Sequence, residues 1–206
     1  TKSLTDCKGC YEGEFPTIKY KKGNPTRNTD EIFELIHTDI CGPLDIPTSG
    51  GNRYFVSFID DYSRYSKVAL IKNKSDCFEE LVKFIKQGER FSNKKVKMIK
   101  SDNGGEYTSN KIKNFCSNLR IKLIKTSPYS PQMNGVAERF NRTIMVKVRS
   151  MLYQNNIPLK YWGEALNTAN YLRNISYCST IKNTPFKIMN GFNSDTSNLH
   201  VFGCKA

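Results

Sequence analysis

The chain has 206 residues, 38% of them apolar and 12% aromatic, enough for one sizeable core with short appendages and too little for two full domains. Lys and Arg outnumber Asp and Glu by 32 to 19, a formal charge of +13, which points to a polyanionic partner: nucleic acid first, an anionic membrane surface second. No apolar run approaches the roughly 20 residues of a membrane span, no signal-peptide pattern opens the chain, and seven scattered cysteines favour free thiols in a reducing compartment over a secreted framework.

Residues 1–28 are polar and rich in Lys, Gly, Thr and Asn, and read as a linker whose one pointed feature is Cys7-Lys8-Gly9-Cys10. A core is expected over 29–190, with 191–206 beginning a further extension. Thr at position 1, and a Val201-Phe202-Gly203-Cys204 ending that reads as a strand just starting, predict a piece of a longer polypeptide. Ile32–Ile40 alternates apolar and polar residues and runs into Cys41-Gly42-Pro43, a strand with a turn behind it. Tyr54–Ile59 reads as a central strand and Lys67–Ile71 as a third, with short polar connections that make the three antiparallel neighbours.

Ser75 is expected to cap an amphipathic helix over 75–90, with Phe78, Leu81, Val82 and Ile85 at helical spacing. Val96–Ser101 is a fourth strand, Ser109–Leu119 a short helix and Ile121–Lys125 a fifth strand. Two prolines exclude regular structure from 127–131. A long helix is expected from about Asn134 to Gln154, with Phe140, Ile144, Val148 and Met151 on its apolar face, then a last helix from Lys160 to Ser176. The order β-β-β-α-β-α-β-α-α predicts an α/β fold with a mixed five-stranded sheet.

Three carboxylates stand out by position. Asp39 lies in the first strand, and Asp102 ends the fourth, before the small residues of Asn103-Gly104-Gly105. Glu138 lies in the first turns of the long helix, on the side away from its apolar stripe. Strands one and four are typically adjacent and parallel in such a sheet, which brings both aspartates to one edge within reach of a crossing helix. Three clustered carboxylates repel unless cations neutralise them, and hard divalent ions with oxygen ligands, Mg²⁺ first, fit that need. Singly, each acid reads as well as a turn former or, for Glu138 with Arg142, an exposed i,i+4 pair. Asp60-Asp61 belong at the opposite edge as turn and ion-pair residues, and Glu106 and Asn103 are candidates to support Asp102.

Arg139, Asn141, Arg142, Lys147 and Arg149 come after Glu138 and could meet phosphates, an ordinary solvated helix face being the competing reading. Tyr129, Gln132 and Asn134, in the loop before that helix, are candidates to touch the bases or sugars of a nucleic acid. Cys7 and Cys10 form half of a zinc site at most, and His37 is too deep in the first strand to complete it.

The 35 residues between Asp102 and Glu138 resemble the D,D(35)E signature of retroviral and retrotransposon integrases. The flanking words are similar to the Ty1/copia group: His37-Thr38-Asp39-Ile40-Cys41-Gly42-Pro43, Ile59-Asp60-Asp61-Tyr62-Ser63-Arg64, Ser101-Asp102-Asn103-Gly104-Gly105-Glu106, Ser127-Pro128-Tyr129-Ser130-Pro131-Gln132 and Asn134-Gly135-Val136-Ala137-Glu138-Arg139. Thr184-Pro185-Phe186 and His200-Val201-Phe202-Gly203-Cys204 resemble the segment behind that group's core, and Phe140 departs from the group, a basic residue being usual there.

The resemblance implies an RNase H-like fold in which Asp39, Asp102 and Glu138 hold two Mg²⁺ ions, with Mn²⁺ as a substitute. It implies an integrase cut from a polyprotein that trims element DNA ends and joins them to double-stranded target DNA by in-line displacement. Acting on two ends predicts a homo-multimer, in the nucleus when active and in a cytoplasmic particle before that, with no membrane and no small-molecule substrate. Zn²⁺ would bind Cys7 and Cys10 only with a His pair upstream. A decayed copy that merely binds DNA would show damage to one acid, and a nuclease of the same fold would recruit a fourth carboxylate or a His.

Overall fold

The computed structural model describes residues 29–102, 104–125 and 135–204. Its five strands are β1 (Leu35–Cys41), β2 (Tyr54–Asp60), β3 (Ser66–Ile71), β4 (Met98–Ser101) and β5 (Lys122–Lys125). They form one sheet in the order β3-β2-β1-β4-β5. The first three strands pair antiparallel, while β1–β4 and β4–β5 pair parallel. The helices are α1 (Cys77–Ser92), α2 (Gly105–Thr108), α3 (Asn110–Asn118), α4 (Gly135–Gln154), α5 (Trp162–Ile175) and α6 (Pro185–Asn190).

Strand alternation sends side chains into two separate cores. On one face Ile36, Val56, Phe58 and Ile99 pack with Leu81, Phe84 and Ile85 of α1, Tyr107 of α2 and Ile112 of α3. On the other, Phe55 and Ile59 meet Phe140, Ile144 and Val148 of α4 and Trp162, Leu166 and Ala169 of α5. Ile36, Leu81, Ile85 and Ala169 are all fully buried, and each such Ile or Leu contributes roughly 1.5–3 kcal/mol relative to exposure. The α4 stripe is Ala137, Phe140, Ile144, Val148 and Leu152, the spacing of a helix lying across a sheet, with Met151 only half-buried at its margin.

Three expectations need correction. Ser75 does not cap α1: it lies inside a 3₁₀ turn, Lys74–Asp76, whose entry is held by the Asn73 N–H donating to the Asp76 carboxylate at 3.0 Å. Residues 201–204 form a turn, closed by the Cys204 N–H donating to the Val201 carbonyl at 3.1 Å, rather than the start of a strand. Helices α2 and α6 are elements beyond the expected order, although Thr184 caps α6, Pro185 opens it and Gly191 (φ +83°) ends it.

Candidate active site

The parallel ladder between the two central strands pairs Leu35 with Met98, Ile36 with Ile99 and His37 with Lys100, and goes no further. Beyond it, Asp39 stays within β1, paired only with Ser57 of β2, while β4 runs out into Asp102, so both acids lie toward the carboxyl end of these parallel strands. Helix α4 packs against β1 and β2 and brings Glu138, exposed in its first turn, to the same edge.

Asp39 is half-buried and receives the Asn141 Nδ2–H on Oδ2 at 2.9 Å. Burial, and then the negative charges of Asp102 and Glu138, push its carboxyl from 3.8 up to about 7, against the lowering pull of the Ile40 N–H and the Asn141 amide. The three acids therefore stand in one field. Asp102 is fixed differently: its Oδ1 accepts the Gly104 N–H at 3.0 Å. A Cβ on Gly104 would lie 2.6 Å from a Glu106 oxygen, so glycine lets the Glu106 carboxylate fold over the Asp102 turn. Oxygen-only donors of like charge suit a hard divalent cation. Among the described residues, no three His, Cys, Asp or Glu side chains are drawn together into a finished ligand cage.

Arg139 and Arg142 are exposed on α4. Asn141 corrects the expectation of a solvent-facing DNA contact: it is 6% exposed, and its amide is turned onto Asp39. Lys147 is half-buried, its ammonium disfavoured by burial and by Arg173. Cys7, Cys10, Asn103, Tyr129, Gln132 and Asn134 lie outside the described residues.

Asp60 and Asp61 are occupied at the other edge. The Asp60 carboxylate accepts the Phe33 N–H at 2.8 Å, and the Ser63 N–H and hydroxyl at 2.7 and 2.6 Å. Asp61 holds His37 Nε2 at 2.9 Å, Arg64 Nη1 at 3.1 Å and the Thr29 hydroxyl at 3.1 Å. Sequence reasoning missed a cleft of about 310 Å³ beside the Asp102 turn, lined by Lys74, Ser75, Phe78, Ser109 and Lys111. Its walls come from segments far apart in the chain, so no local pattern marks it.

A mixed sheet with two acids toward the carboxyl end of adjacent parallel strands and a third on the helix packed against them is the arrangement of an RNase H-like fold. The family described as Integrase core domain matches residues 30–131. Over 205 residues the chain is 42% identical to the retrovirus-related Pol polyprotein from transposon TNT 1-94 of Nicotiana tabacum, covering 99% of this chain and 15% of that one. Among solved structures, the simian T-cell lymphotropic virus intasome in complex with PP2A regulatory subunit B56 gamma aligns with a TM-score of 0.64 at 18% identity, over 93% of this chain and 63% of that one. The HTLV-2 integrase catalytic core domain in complex with magnesium aligns with a TM-score of 0.58 at 20% identity, over 77% and 97% of the two chains. The chain is thus similar to integrase cores and, over nearly its whole length, to a short part of a retrotransposon Pol polyprotein.

Proposed function

We propose that this core cuts and joins DNA by transesterification at phosphorus, with Asp39, Asp102 and Glu138 as its metal-holding residues. The observation that carries the reading is the placing of these acids at the carboxyl end of two parallel strands and on the helix beside them, where burial first, and then the charges of Asp102 and Glu138, push Asp39 up to about 7. When bound, two divalent ions, Mg²⁺ first, would neutralise the cluster and stabilise the attacking and leaving oxygens of an in-line displacement.

The chain's own groups do the orienting. The Asn141 amide holds one Asp39 oxygen toward α4, and the Gly104 N–H fixes one Asp102 oxygen, which leaves the second oxygen of each carboxylate for a metal ion. Lys74 and Lys111, exposed at the neighbouring cleft, and Arg139 and Arg142 on α4 would take DNA phosphates. Such contacts position a strand without reading its sequence, so weak target specificity is expected. With water as nucleophile the reaction trims an element end. With the freed 3′-hydroxyl it forms a new P–O bond at a target phosphodiester, and that target's 3′-oxygen leaves.

Tyr129, Gln132 and Asn134 would join the DNA contacts from the loop before α4, and Asn103 and Glu106 would support Asp102. Residues 1–28 act as a linker, and zinc would need a His pair upstream of Cys7 and Cys10. Two DNA ends call for a multimer, and the reaction for a nuclear site of action. No helix among the described residues is long and apolar enough to cross a membrane.

The test is divalent-metal-dependent strand joining, and its reversal on a branched DNA, by this chain and by Glu138→Gln. The variant is expected to fall at least about a hundredfold with DNA binding retained. If both proteins bind DNA equally and neither cuts nor joins it, the catalytic reading gives way to a DNA-binding module.

A further inference from the structure

We propose that Tyr107 is a positioning residue for this site: its hydroxyl ties the Asp39 strand to the Asp102 turn and so fixes the spacing of the two carboxylates. The inference rests on the reading of those carboxylates as metal-holding groups.

The need for such a tie comes from the sheet. Backbone pairing of β1 with β4 ends at His37–Lys100, two residues short of both acids. Past that point no ladder holds Asp39 and Asp102 at a set distance, and their charges push them apart. A continuous path of hydrogen bonds takes over. Thr38, fully buried next to Asp39, shares a hydrogen bond with the Tyr107 hydroxyl at 2.7 Å. The Tyr107 N–H donates to the Gly104 carbonyl at 3.1 Å, and the Gly104 N–H donates to Asp102 Oδ1 at 3.0 Å. The β1 strand and the Asp102 turn are thereby joined into one unit.

Two further facts define the tie. Tyr107 is 1% exposed, so its ring is held by the core of α1 and α3. Thr38 and Asp39 point to opposite faces of β1, so the bridge sits behind the sheet, on the side away from Asp39 and its Asn141 partner. A phenylalanine would fill this ring site equally well; only the hydroxyl makes the connection.

The test compares the full chain with Tyr107→Phe, Thr38→Ser, Thr38→Val and the double variant Tyr107→Phe/Thr38→Val. Mg²⁺ and Mn²⁺ affinity is measured by titration calorimetry, single-turnover joining on a pre-trimmed DNA end gives the rate, and thermal melting gives stability. Tyr107→Phe is expected to bind Mg²⁺ about tenfold more weakly, the size of effect seen when a group behind a metal ligand is lost, with the joining rate falling in step. Mn²⁺, which tolerates looser geometry, is expected to narrow the gap, and Thr38→Ser, which keeps the hydroxyl, to hold wild-type affinity. The double variant leaves no buried hydroxyl unpaired and is expected to regain melting temperature without regaining metal affinity.

If affinity and rate return together with stability in the double variant, the hydroxyl pair is packing and the proposal is wrong. Unchanged affinity and rate in Tyr107→Phe, with loss in Glu138→Gln, would overturn it while leaving the catalytic reading intact. If the wild-type chain binds no divalent ion, the catalytic reading fails, and the proposal fails with it.

Discussion

Asp39 carries opposing instructions: burial and two neighbouring acids favour its neutral form, while the Ile40 N–H and the Asn141 amide favour its charge. A carboxyl whose folded value is raised stabilises the fold while protonated. That contribution is complete below the ordinary value of 3.8 and is lost as pH rises through about 7. Metal-free protein should therefore lose melting temperature between pH 4 and 7 more steeply than Asp39→Asn, and saturating Mg²⁺ should reduce the difference. Melts across that range in chelator and in Mg²⁺ provide the check; equal slopes for the two proteins would remove Asp39 from the shared field. The three acids were legible in the sequence because strand and helix signals place them independently of one another. Asn141 was not: on a helical wheel it lies near Glu138, and only the lie of α4 across β1 decides that this flank is covered. Tyr107 and Thr38 were silent for a related reason, since a polar pair buried between distant segments leaves no periodic trace.

Helix α1 shows how one missing side chain sets an interface. Phe33, held at φ +63° and 3% exposed, lays its ring against Gly88, where an added Cβ would fall 2.4 Å from two ring carbons. The ring also packs against Phe84, which is stacked on Phe58, so it has little room to retreat. Gly88→Ala gains about 1 kcal/mol of helix propensity but overpacks the core by about 1–3 kcal/mol, for a net loss of stability. Gly105→Ala, whose Cβ meets nothing within 4 Å, serves as the near-neutral control, and urea titration separates the two. The first strand was read from alternation, the second from a nearly unbroken apolar run and the antiparallel pairing from short turns, and the observed ends fall within a few residues of the pattern. The entry to α1 did not, because Asn73 and Asp76 form a reciprocal cap around a 3₁₀ turn and displace the simpler reading of Ser75. Helix α6 had its cap, proline and glycine in plain view, but six residues are too few to show an amphipathic period.

At the scale of the molecule, the formal charge of +13 has no matching acid inventory, and several lysines are nonetheless committed within the fold: Lys94 and Lys97 to Glu31, and Lys95 to Glu89. DNA affinity should depend on the remaining cations through counterion release, falling at least about tenfold between roughly 50 and 200 mM salt. Fluorescence anisotropy with a labelled duplex checks this; a flat response would mean that few phosphates are engaged. Charge and the acid spacing already pointed to the proposed partner and chemistry, whereas the cleft at Lys74 and Lys111 required the fold.

The alternation along β1 has one more consequence. Thr38 is bonded into the layer of α1 and α2, while Asp39, the next residue, is bonded into the layer of α4. Neither layer can open without dragging the same peptide unit. Heat inactivation would thus track whichever layer melts first, and reinforcing the sturdier one would add nothing to the working lifetime of the protein.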